Sequence, residues 1–141
     1  MKHLLGCVVL LLASSFCHAD SKLDKVLNID KSTVKDWENM IDNGGFFDTD
    51  RWQGIPVKNI AVMHNRDTGK ITSFEIGYAV SKAAAANSPK KLRSILEKYC
   101  KIPAEAWSGD SVSERAAAGA RCSAEYDMKG DVGHFLISKK D

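Results

Sequence analysis

His64 and His134 are the two histidines beyond residue 20, and a histidine is the side chain best suited to move protons near neutral pH. A general base of this kind needs a carboxylate to orient it and a group to act on. A two-residue turn at Lys129-Gly130 would set Met128 opposite Asp131, which brings Glu125 opposite His134 with Ser123 on the same face. Such a cross-strand Glu–His pair has an ordinary meaning too, since it adds a few tenths of a kcal/mol to a sheet. Ser-x-Glu on a strand is too common a spacing to mark Ser123 as a nucleophile.

Metal chemistry requires three or four converging ligands. Asp48-x-Asp50 has the opening of a calcium loop, but Trp52 and Gln53 fall at its fifth and sixth positions and Asn59 at the twelfth, where a carboxylate is needed. HExxH, paired CxxC, GxGxxG, P-loop and GxSxG patterns do not occur. The sequence therefore predicts no metal, no cofactor and no catalytic set.

Recognition is what the remaining polar and aromatic residues suit. Asp48, Asp50, Arg51 and Trp52 crowd one short stretch read as an irregular loop, and Trp107 stands in a second loop. Arginine and tryptophan dominate binding hot spots, so these five residues are the predicted contact set. Phe46 and Phe47 in the same stretch are expected to plug the core. Lys90, Lys91 and Arg93 fall on one helical turn and read as a solvated face. With 20 basic against 18 acidic residues along the chain, no concentrated positive surface is expected, which disfavours nucleic acid as a partner.

The elements that must hold these residues begin after an export leader. Lys2 and His3 precede an apolar run from Leu4 to Leu12, and Cys17 and Ala19 occupy the positions that a signal peptidase inspects. Cleavage after Ala19 would leave a single domain, residues 20–141, working in the periplasm or outside the cell. Phe16 before Cys17 argues against a lipid-modified cysteine. Cys7 and Cys17 would leave with the leader, and Cys100 and Cys122 are expected to pair in that oxidising compartment.

Within the domain, Ser32 is the expected cap of a helix over Thr33–Asn43 with a buried stripe of Val34, Trp37, Met40 and Ile41. Val57–Val80 forms a hairpin whose turn, Arg66 to Lys70, puts Gly69 in the left-handed region and pairs Val62 with Phe74 and Ile60 with Ile76. His64 then faces Thr72. Ser88-Pro89 opens a second helix with Leu92, Ile95, Leu96 and Tyr99 buried. A thin third helix is expected over Val112–Ala118, followed by a closing hairpin from Ala120 to Ser138.

The expected architecture is α+β. Two antiparallel hairpins join in one four-stranded sheet, with two or three helices on one face, in the order α-β-β-α-(α)-β-β. The expected function is that of a small exported, non-enzymatic binding protein, most concretely an inhibitor or immunity-type protein acting on another exported protein. The alternatives are an accessory component of an envelope secretion or adhesion system, and a small hydrolase of envelope polymers working through Glu125 and His134 or through Asp48 and Asp50.

Overall fold

A computed structural model describes residues 22–44, 50–79, 89–111, 114–129 and 132–140. Residues 1–21, where the leader is expected, Phe46, Phe47, Asp48, the expected cap Ser88 and residues 130–131 lie outside the described residues. The fold is α+β, built on one antiparallel sheet. In chain order the elements are α1 (Lys22–Val26), α2 (Val34–Asp42), β1 (Arg51–Trp52), β2 (Ile55–His64), β3 (Ile71–Ala79), α3 (Pro89–Cys100), a 3-10 turn at Ala104–Ala106, β4 (Ser108–Ser111), β5 (Glu114–Ala118), β6 (Cys122–Lys129) and β7 (Val132–Lys139). Six strands lie in the order β2-β3-β7-β6-β5-β4, and the two-residue β1 extends the β2 edge.

One face of the sheet is apolar. Phe74, Ile76 and Tyr78 of β3, Ala124 and Tyr126 of β6, and Phe135 and Ile137 of β7 form a single core with Leu23, Leu27 and Ile29 from the N-terminal segment and Leu92 and Leu96 from α3. The other face carries Glu75, Glu125, Asp127 and His134. A sheet covered on one side reads as strict alternation, and that alternation is what made the strands legible.

The first hairpin keeps its expected register, with Val62 opposite Phe74 and Ile60 opposite Ile76. Gly69 takes φ 68° at the turn, where Asn65 Oδ1 accepts hydrogen bonds from the amides of Asp67 and Thr68. An irregularity beside Met63 moves His64 to a place opposite Ile71 rather than Thr72. The second hairpin slips by two residues from expectation. Lys129 faces Val132 and Tyr126 faces Phe135, so Asp127, not Glu125, stands opposite His134. A slip of two leaves every side chain on its own face, so the hydrophobic pattern alone does not resolve it.

Three further expectations are corrected. Residues 114–118 are a strand paired with β6, not a third helix; alanine gives a helix there no bulky stripe to bury, while Ala117 packs in the sheet's core opposite Ala124. The stretch 48–56 is not wholly irregular. Gln53 (φ 50°) and Gly54 (φ 79°) make a two-residue turn of the type that suits hairpin twist, and Trp52 pairs with Ile55 across it. The cap of α2 is Thr33 rather than Ser32. Thr33 and Asp36 form a reciprocal capping box, whereas the Ser32 hydroxyl accepts from the Asn28 amide and donates to the Lys25 carbonyl. Ile41 is 45% exposed, so the apolar stripe of α2 is covered only in part.

The Cys100–Cys122 disulfide joins the end of α3 to the start of β6. The backbone closes tightly around it: the Arg121 amide donates to the Cys100 carbonyl at 3.0 Å, and a methyl at Gly119 would collide with that same oxygen. Arg121 then ties this corner to the N-terminal segment. It pairs with Asp30 at 2.7 Å and stacks over the Tyr99 ring at 4.2 Å, while the Tyr99 hydroxyl accepts from the Ile29 amide and donates to the Leu27 carbonyl.

Tyr78 supplies a prediction. Its ring is fully buried and its hydroxyl has no hydrogen-bond partner among the described residues. Burial, then the nearby Tyr126 and Asp127, hold its phenol well above the ordinary value of 10.0. Below pH ~10 the proton is bound in both folded and unfolded chains; above it the unfolded chain releases the proton first, so stability falls as pH rises. Tyr78→Phe is therefore expected to match or exceed the parent's melting temperature at pH 7 and to flatten its decline between pH 9 and 11. A loss above about 1 kcal/mol at pH 7 would mean that the hydroxyl is satisfied after all.

Candidate functional site

The four described residues of the five predicted to make contacts do not converge on one surface. Asp48 lies outside the described residues. Asp50 is half-buried and its carbonyl accepts from the Val57 amide at 3.0 Å. Arg51 is exposed on β1 and its guanidinium donates to the Gly54 carbonyl. Trp52 is fully buried between Phe74, Tyr99 and Phe135, with ring centroids 5.1–5.9 Å away, so its indole is core and not surface. Trp107 lies just before β4, at the other edge of the sheet, and is 8% exposed. Six inter-strand spacings of ~4.8 Å separate the two edges, on the order of 30 Å. The hairpin turn at Gln53-Gly54 is what folds Trp52 inward.

His134 does not meet Glu125 across the sheet. Its Nδ1 is 3.5 Å from Glu75 Oε1, and both side chains are about half exposed on the open face. Among the described residues no group of three or more histidine, cysteine or carboxylate side chains is placed to hold a metal ion.

A different set does converge. Lys90, Arg93, Ser94 and Glu97 follow the i, i+3, i+4, i+7 spacing of one helix face, beside the stripe of Leu92, Leu96 and Cys100 that α3 buries. Burying that stripe turns the polar face toward β5 and β6. There Arg115 and Tyr126 are direct cross-strand partners on the helix-bearing side of the sheet. Together with Ala104 these six residues line a cleft of about 360 Å³. Three cationic side chains and a single carboxylate surround it.

The walls are held in place. Glu97 Oε1 accepts from Arg93 Nε and from Trp107 Nε1, each at 2.8 Å. Arg93 also donates to the Ala104 carbonyl and stands 5.8 Å over the Trp107 ring. Trp107 in turn meets Tyr126 edge-on at 5.4 Å. The lone carboxylate is thus paired with Arg93, and with three cations against it the lining keeps a net positive charge. Tyr126 stays a neutral phenol: burial raises its pKa, Arg115 and Arg93 lower it, Glu97 raises it, and the net shift is upward.

Half of this cleft was visible in the sequence. Lys90, Lys91 and Arg93 on one helical turn read as a solvated face, since basic residues are spread among acidic ones along the chain. Once residues 114–118 are paired with β6, Arg115 falls beside Tyr126 and the patch gains its second wall. A second hollow of similar volume, between α1 and α2, gathers Lys22, Lys25 and Asp36 around Val26 and Met40, two cations against one carboxylate. Among the described residues no helix is long and apolar enough to cross a membrane. Compared with family models, curated proteins and solved structures, the chain matches none of them.

Proposed function

We propose that this protein is an exported, non-enzymatic binding protein that engages another exported protein through the α3–β5–β6 cleft, as an inhibitor or immunity-type protein does. The observation that carries this reading is the cleft itself. Three cations converge on it from two elements, and Arg93 is locked by Glu97, Ala104 and Trp107. A side chain already immobilised loses little entropy on binding, so more of its interaction reaches affinity. The disulfide supports export, because such bonds persist in oxidising compartments.

Capture on immobilised protein tests this reading. The protein is offered the exported fraction of its source cells, beside a Lys90→Glu/Arg115→Glu variant and an Arg51→Glu variant altered at the opposite sheet edge. A specific partner is expected on the parent and on Arg51→Glu, with retention reduced at least tenfold on the cleft variant. Equal retention on all three, or no partner on any, would overturn it.

A further inference from the structure

The cleft's lining specifies the chemistry of what it holds. We propose that it takes the carboxylates of an acidic segment of the partner protein, with one acidic side chain seated between Arg93 and Arg115 against the Tyr126 ring and a neighbouring one at Lys90; this rests on the binding function proposed above.

Charge is the first support. Lys90, Arg93 and Arg115 bring three positive charges to the lining against the one negative charge of Glu97, which pairs with Arg93, so a net excess of two remains. The guanidinium groups favour planar, bidentate acceptors, the geometry that a carboxylate offers. Shape is the second. A hollow of about 360 Å³ is an order of magnitude larger than one water's share of liquid, so it has room for side chains and not just an ion. Its lining is amphipathic as well: the Tyr126 ring and Ala104 offer apolar surface to the methylenes of a glutamate, while the Ser94 hydroxyl and the cations meet its head. Phosphate has no apolar part to place there.

The surroundings separate an acidic protein segment from a nucleic acid. The open sheet face carries Glu75, Glu125 and Asp127, and the chain as a whole has 20 basic against 18 acidic residues. Among the described residues, a nucleic acid extending from the cleft onto that face meets carboxylates and not a continuing basic track. A short acidic segment needs none.

Amide NMR of the isotope-labelled exported protein, titrated with defined probes, tests the assignment. The probes are an end-blocked hexaglutamate, an end-blocked hexaglutamine, inorganic phosphate and a twelve-nucleotide single-stranded DNA. Hexaglutamate is expected to shift the amides of Lys90, Arg93, Ser94 and Arg115, with affinity falling at least tenfold on Arg115→Glu and again on raising salt from 50 to 300 mM. Arg115→Gln guards against misfolding: it should weaken binding while amides outside the cleft keep their positions. Hexaglutamine should shift nothing. Phosphate or DNA binding as tightly as hexaglutamate would overturn the proposal, as would hexaglutamate shifts scattered over the surface. If the captured partner depends on the cleft yet hexaglutamate does not bind there, the ligand chemistry is wrong and the binding function stands; if capture ignores the cleft, the binding function itself fails.

Discussion

Removing the Cys100–Cys122 bridge is expected to destabilise the fold by about 3 kcal/mol and lower its melting temperature by roughly 10 °C. The bond spans 22 positions of sequence, and in the chain-entropy account a loop of that size restricts the unfolded ensemble by this amount. The native side adds to the loss. Both cysteines are fully buried, and the turn between β5 and β6 hangs on them through the amides of Ala120 and Arg121, which donate to the Lys101 and Cys100 carbonyls. Arg121 carries the effect to Asp30, Asn28 and Tyr99, so the N-terminal segment should loosen as well. The check is thermal melting of Cys100→Ser/Cys122→Ser against the parent, with and without reductant. Identical midpoints would remove the bridge from the list of what holds this fold together.

Trp52→Ala is expected to cost about 3–5 kcal/mol, as large aromatic deletions in packed cores do. Trp52 touches β3, β7 and α3 at once through Phe74, Phe135 and Tyr99. An alanine there leaves a cavity where sheet and helix meet, and folded domains rarely hold more than 5–15 kcal/mol in reserve. Trp52→Phe keeps the experiment readable if the alanine variant does not fold, with an expected loss near 1–2 kcal/mol. Arg51→Ala, one residue away and exposed, should change stability by no more than about 0.5 kcal/mol. Urea melts of the three variants decide the matter. A stable Trp52→Ala protein that loses only its partner would return this tryptophan to the surface.

The contrast between Arg51 and Trp52 shows where the sequence was readable. Wherever a strand was long enough to alternate, as in Ile60, Val62, Phe74 and Ile76, period-two patterning placed each side chain on the correct face. The helix of Leu92, Ile95, Leu96 and Tyr99 and the disulfide at its end followed from spacing and compartment, although Ile95 and Tyr99 are only partly buried. Short elements escaped, because two to five residues carry no period. β1 is two residues long, and β5 is mostly alanine, whose intrinsic preference is helical. Each of these misreadings moved a candidate binding residue. Reading 48–56 as a loop exposed Trp52, and reading 112–118 as a helix removed Arg115 from the side of Tyr126. The candidate site was therefore less legible than the fold, since it is built where a long helix meets one of the short strands.

Site-specific photo-cross-linking in the source cells tests the binding cleft most directly. A photoreactive residue placed at Ser94 lies in the cleft, and one placed at Met63, 57% exposed on the open sheet face, lies away from it. The expected result is one discrete cross-linked partner from the Ser94 position, lost when Arg115→Glu is added, and none from Met63. A partner cross-linked from Met63 and not from Ser94 would contradict the assignment of the cleft.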